Sequence, residues 1–135
     1  TGVQLEAGTT ASDFEFLPVD VNLQRCLRYY ELLASGNGKV ICAAVSYTTD
    51  RAQGILNFSP EKRSAPSLDY VTGTNYYDYF RVGATPDFDS FTLIDASTKS
   101  GYLYTQALST TTTAGFGGWF QTENANSYIA MDAEL

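Results

Sequence analysis

The chain has no histidine, one tryptophan, one methionine, two cysteines and four prolines in 135 residues. Without histidine it lacks the side chain most often used as a general base and as a metal ligand. Hydrolytic or metal-dependent chemistry would have to rest on carboxylates. Basic residues are also scarce: eight Lys and Arg stand against fifteen Asp and Glu, a formal charge of -7. The basic residues form no run and all lie between Arg25 and Lys99, so phosphate backbones and anionic lipid headgroups are repelled. Neither a nucleic acid nor an inserted membrane is an expected partner. No apolar stretch approaches the roughly 20 residues that span a bilayer, and the N-terminus has neither the basic start nor the apolar run of a signal peptide. The first residue is Thr rather than Met, which reads as a fragment or a processed product.

What is present suits one folded β-rich domain. Apolar residues make up 44% of the chain, with ten Tyr and eight Phe, enough to bury a core without disulfide or metal staples. Cys26 and Cys42 flank Gly36-Asn37-Gly38. If that turn closed a hairpin, Cys26 would face the region of Tyr47 and Cys42 that of Glu31, out of register for a bridge. Reduced core thiols are therefore expected, in keeping with a reducing compartment.

The pattern along the chain predicts an all-β fold, an antiparallel two-sheet sandwich of jelly-roll type with one short N-terminal helix. Residues 1–17 read as a short strand at 3–6 followed by an extended connector or a packed N-terminal arm, and residues 18–135 as the sandwich domain. Asp20 is placed to cap a helix over 21–25, and the Tyr29-Tyr30 pair favours a strand over 26–34. Residues 40–47 are apolar on both faces, which predicts a strand buried on both sides. Further strands are expected at 53–58, 67–71, 76–82, 90–95, 101–108, 116–121 and 127–135. The last alternates cleanly, with Ile129, Met131 and Ala133 on one side and Tyr128, Ala130 and Asp132 on the other. Pro60 and Pro66 bracket a polar loop.

Few constellations carry chemistry. Asp87, Asp89 and Asp95 lack the Gly and closing Glu of an EF-hand loop, and Thr85-Pro86-Asp87-Phe88-Asp89 reads as a polar turn; no metal or cofactor is expected. Two carboxyls facing one sugar could hydrolyse a glycosidic bond, a geometry that spacing does not reveal. Asn75-Tyr76-Tyr77-Asp78-Tyr79-Phe80 is the densest aromatic and polar cluster. Aromatic faces stack on sugar C–H faces and amides or carboxylates bind hydroxyls, so Asn75 and Tyr76 are candidate glycan contacts, with core packing or a subunit contact as the alternative. Two loops, 71–77 and 84–89, offer the most recognition chemistry, which adds Asp87 and Phe88. Trp119, among three glycines, is either a contact residue or a core residue beside a bulge.

Four segments in order cover most of the chain: Val3-Gln-Leu-Glu-Ala-Gly-Thr-Thr-Ala-Ser-Asp-Phe-Glu15, Cys26-Leu-Arg-Tyr-Tyr-Glu31, Phe58-Ser-Pro-Glu-Lys-Arg-Ser-Ala-Pro66, and Asn124-Ala-Asn-Ser-Tyr-Ile-Ala-Met-Asp-Ala-Glu-Leu135. Together they resemble the C-terminal domain of tail-fibre and related virion structural proteins of double-stranded DNA bacteriophages, with its LExGxxATxFE, CxRYYE, FPxxMRAxP and terminal DAEL patterns. Departures fall at Ser12-Asp13, where Pro is frequent, at Leu27, where Gln is frequent, and at Glu61-Lys62-Arg63, in place of a Met-Arg pair. The resemblance implies a non-catalytic virion component, the distal knob of a tail fibre that adsorbs to host-surface glycan or protein, or alternatively a head-fibre or capsid decoration protein. It also implies a homo-oligomer, most often a trimer, associated with other virion proteins, and a preceding fibre module ending within residues 1–17.

Overall fold

The computed structural model describes residues 9–10 and 18–134. The expected strand at 3–6 and, apart from residues 9 and 10, the connector over 1–17 lie outside the described residues, as does Leu135. The elements run α1 (Val19–Leu27), β1 (Tyr30–Ser35), β2 (Val40–Ser46), β3 (Ala52–Asn57), β4 (Ser67–Tyr70), β5 (Tyr77–Arg81), β6 (Asp87–Phe88), β7 (Phe91–Ile94), β8 (Ser100–Thr105), β9 (Gly117–Thr122) and β10 (Tyr128–Asp132). They form two antiparallel sheets, a small one of order β1-β10-β4 and a large one of order β6-β5-β9-β2-β3-β8-β7. The expected all-β sandwich with one short helix is what the chain builds.

The helix departs from expectation at both ends. Pro18, not Asp20, occupies the N-cap, and no side chain caps the first turn. Proline's fixed φ suits a helix start, and Asp20 in the first turn complements the helix dipole. At the other end α1 runs on to Leu27, so Cys26 sits exposed on a helix rather than in a strand or the core. The reason lies far along the chain: Lys62 Nζ donates to the Leu27 carbonyl at 2.6 Å and pairs with Glu31 Oε2 at 2.5 Å. This lysine is fully buried inside the loop that the sequence marks as polar. It ties the last turn of α1, the start of β1 and the 60–66 loop into one unit.

Gly36-Asn37-Gly38 does not close a hairpin. Gly36 and Gly38 take φ values of +86° and +68°, a region open to glycine at little cost, and the turn carries the chain from the small sheet to the large one. There β2 pairs with β9 and β3, while β1 pairs with β10. Both cysteines are free. Cys42 packs against the core, where burial pushes its thiol up to about 12.

The core lies between the sheets. Tyr77, Tyr79, Phe88, Phe91, Leu103 and Phe120 of the large sheet meet Ala34, Ile129 and Met131 of the small one. The rings pack edge to face, as with Phe88 on Phe91 at 4.8 Å and Tyr77 on Phe91 at 4.9 Å, an arrangement that suits aromatic quadrupoles. The Tyr77 hydroxyl lies 2.7 Å from the Val71 carbonyl and 2.8 Å from that of Tyr128, so this large-sheet side chain is tied to β10 and to the end of β4 in the small sheet. Ile129, Met131 and Ala133 are buried as the alternation predicts, but Ala130, expected on the other side, is buried as well, between its partners in β1 and β4, so the alternation holds only in part. The expectation for 40–47 does not hold. A register shift between Val40 and Cys42 turns Val40 outward, and only Ala44 and Ser46 of β2 are buried. On its other face Ala43 is exposed and Val45 only partly covered.

Candidate functional site

The two loops predicted to carry recognition meet at one end of the large sheet. Asn75 adopts φ +56°, a left-handed conformation that Asn tolerates better than most residues, and its amide donates to Asp89 Oδ1 at 2.9 Å. That bond joins the 71–76 loop to the segment after β6. A third segment joins them: the Asp87 amide donates to Ser109 Oγ at 2.9 Å, and the Ser109 amide donates to the Asp87 carbonyl at 2.8 Å. Between them lies an open cleft of about 370 Å³ lined by Asn75, Asp87, Asp89, Ser90, Gln106 and Ser109. It presents carboxylate, amide and hydroxyl groups and no cation, so it fits a neutral or cationic polar ligand and disfavours an anion.

Asn75 and Asp87 thus line one cleft; the other three candidates are placed differently. Phe88 is 3% exposed. The two-residue strand β6 alternates like any other, so Asp87 faces outward while Phe88 points into the core against Tyr77, Phe91 and Phe120. It borders the cleft from beneath and is not a surface anchor. Tyr76 is half-buried and packs on the core. Its ring lies over Gly73, where a Cβ would fall 2.3 Å from Tyr76 Cε2. Its carbonyl accepts bonds from the Glu123 amide at 2.9 Å and from Ser127 Oγ at 2.8 Å, so Tyr76 shapes the 71–76 loop from below.

Trp119 lies outside the cleft, on the outward face of the large sheet. It stacks on Phe80 with ring centroids 4.5 Å apart and planes 14° from parallel. Neighbouring Gly118 makes that approach possible, since a Cβ there would fall 2.2 Å from the Phe80 carbonyl oxygen. Trp119 Nε1 donates to Gln121 Oε1 at 2.9 Å, and Gln121 Nε2 donates to Asp78 Oδ2 at 3.0 Å. Asp78 is the cross-strand partner of Asp87, so this string of contacts ends one strand from the cleft.

The electrostatics there are unusual. Asp78 is almost fully buried, and its Oδ1 has no hydrogen-bond partner. Burial pushes its carboxyl up to about 6, with the Gln121 bond opposing and the charge of Asp87 adding to the rise. Glu123 is raised to about 7, first by desolvation, then by a hydrogen bond with Asp87 and by the charges of Asp87 and Asp78. The salt bridges among the described residues lie elsewhere, at Arg51, Lys62 and Lys99.

Sequence reasoning missed Asp89 as the residue that organises the Asn75 turn, and it missed Ser90, Gln106 and Ser109 as cleft residues. Their polarity in a loop was the only local signal; what gathers them is the pairing of β5 with β6 and of β7 with β8. Asp95, once grouped with Asp87 and Asp89, takes φ +50° in the turn after β7. The chain matches no family model, no curated protein and no solved structure.

Proposed function

We propose that the domain is a non-catalytic recognition module that adsorbs a phage virion to its host, the distal C-terminal knob of a tail fibre, and that it reads a surface glycan through the cleft. The observation that carries this reading is the cleft itself. Three segments, each fixed by a backbone-to-side-chain bond, present Asn75, Asp87, Asp89, Gln106 and Ser109 around an open space of about 370 Å³, a size suited to one or two sugar rings. Carboxylates and amides on a rigid sandwich can pair with sugar hydroxyls, and loops so held can vary without disturbing the core. The resemblance of the four sequence segments to phage fibre domains supplies the virion setting. Weak sites of this kind gain strength from repetition, so several copies around a fibre axis, three by that resemblance, multiply the contact with a repetitive envelope.

The test is adsorption. The isolated domain, labelled, is expected to bind host cells or their extracted polysaccharide, and Asp87→Ala together with Gln106→Ala is expected to weaken that binding at least about tenfold without lowering the melting temperature. Binding that survives the double change would move the receptor site off the cleft. Release of reducing sugar from the polysaccharide would replace the reading with an enzymatic one. Labelled antibody on intact virions separates a tail location from the alternative, a capsid decoration.

A further inference from the structure

The outward face of the large sheet carries a second surface that the cleft does not use. Cross-strand register sets Phe80, Trp119 and Ala43 in one row across β5, β9 and β2. Ile55 and Tyr102, paired between β3 and β8, continue that side of the sheet. Charges stand only at its border, with Arg51 over the Tyr104 ring at one place and Asp78 beyond Gln121 at another. Ile55 is 70% exposed, Val40 and Tyr47 59% each, and Phe80 and Trp119 37% each. At about 150–250 Å² per large side chain these five alone leave roughly 500 Å² of apolar surface open. The largest patch on a typical monomer is about 300–600 Å². Partly buried Val45, Tyr102 and Tyr104 beside them extend the surface further, toward the roughly 800 Å² per partner of a standard interface.

This face carries both a pair of exposed stacked rings and an open hollow. The stacked Phe80 and Trp119 rings form a ridge. Next to it, where β2 and β3 pair only over Ala44 to Ser46, lies a groove of about 470 Å³ lined by Ala43, Val45, Gln53, Ile55 and Asn57. Ala43 is both the cross-strand partner of Trp119 and a wall of the groove, so ridge and groove adjoin. Two copies placed face to face bring the ridge of one over the groove of the other. A chain of charge -7 can meet its own copy at small electrostatic cost only through an uncharged surface, whereas a lipid headgroup or nucleic acid would need basic residues that this face lacks.

We propose that the outward face of the large sheet is a self-association surface in which the Phe80–Trp119 ridge of one copy seats in the Ala43–Ile55 groove of another. This inference stands apart from what the cleft binds. Sedimentation of the chain at about 100 µM is expected to give a multiple of the 14.7 kDa monomer mass. Ile55→Glu, on a side chain already open to water, is expected to weaken association at least about tenfold with the far-UV circular dichroism and melting temperature of its monomer intact. Leu23→Glu, at a 55% exposed position on α1, is expected to leave the mass unaltered. A wild-type chain that sediments as a monomer overturns the proposal, and so does an oligomer that survives Ile55→Glu or is lost with Leu23→Glu.

Discussion

Asp78 and Asp87 face each other across β5 and β6 as direct strand partners, two carboxyls side by side, one of them buried. Like charges in that position repel, and burial disfavours ionisation further. The folded state therefore prefers Asp78 protonated, with its carboxyl raised from 3.8 to about 6. Stabilisation from a group whose folded pKa lies above the unfolded one is complete below the unfolded value and is lost as pH climbs through the folded value. The contribution of Asp78 should thus be full near pH 4 and gone above pH 6 to 7, opposite in sense to ordinary acid denaturation. Glu123 acts in the same direction, but it is exposed and water screens it. The prediction is that Asp78→Asn is as stable as wild type at pH 4 and more stable at pH 8, by about 3 kcal/mol, with a correspondingly higher melting temperature. Melting curves from pH 4 to pH 8 check this, and parallel profiles for the two proteins would refute it.

Phe88→Ala removes a ring enclosed by Tyr77, Phe91 and Phe120. A cavity of that kind costs about 3–5 kcal/mol. Urea unfolding should show the loss directly, and any fall in receptor binding should track the unfolded fraction rather than precede it.

Lys62→Ala leaves Glu31 and the Leu27 carbonyl without their donor. Removing one member of a buried pair costs about 3–5 kcal/mol. The end of α1 should fray first. Hydrogen exchange is expected to accelerate at the Arg28 and Tyr29 amides, which bond the Arg25 and Cys26 carbonyls, more than in β5 or β9.

Gly118→Ala is expected to destabilise by more than the about 1 kcal/mol centre of point-substitution effects, because the added Cβ meets the Phe80 backbone rather than a yielding side chain. The near-ultraviolet signal of Trp119 should change with it as the ring loses its place on Phe80. An unchanged spectrum and melting temperature would show that β5 and β9 can part without cost.

The parts of this fold legible in the sequence are those set by local alternation. Ile129, Met131 and Ala133 repeat every second residue and face the core, although Ala130 on the opposite face is covered too. Val40 to Val45 carried an ambiguous signal, because a strand apolar on both sides is either covered twice or left bare on one side, and only the position of β2 in the large sheet decides. The boundary between α1 and β1 was hidden for another reason: the group that satisfies the Leu27 carbonyl comes from Lys62, 35 residues away. At the cleft, Asn75 and Asp87 could be picked out by turn chemistry, whereas Phe88 could not be assigned a face, since a two-residue strand is too short to show a period. Gln106 and Ser109 reach the site through strand pairing alone.

The position of β10 bears on how the chain comes together during synthesis. It lies between β1 and β4, the first and fourth strands to emerge, yet it leaves the ribosome after every other strand described. Until then β1 and β4 have no common neighbour, and Tyr77, Phe91 and Phe120 have no small sheet to close over them. Closure waits on pairings such as Leu32 with Ala130 and Leu68 with Met131, contacts of long sequence separation that slow folding. A nascent chain arrested before residue 128 would hold two unpaired strand edges and an open aromatic layer, a form prone to aggregate.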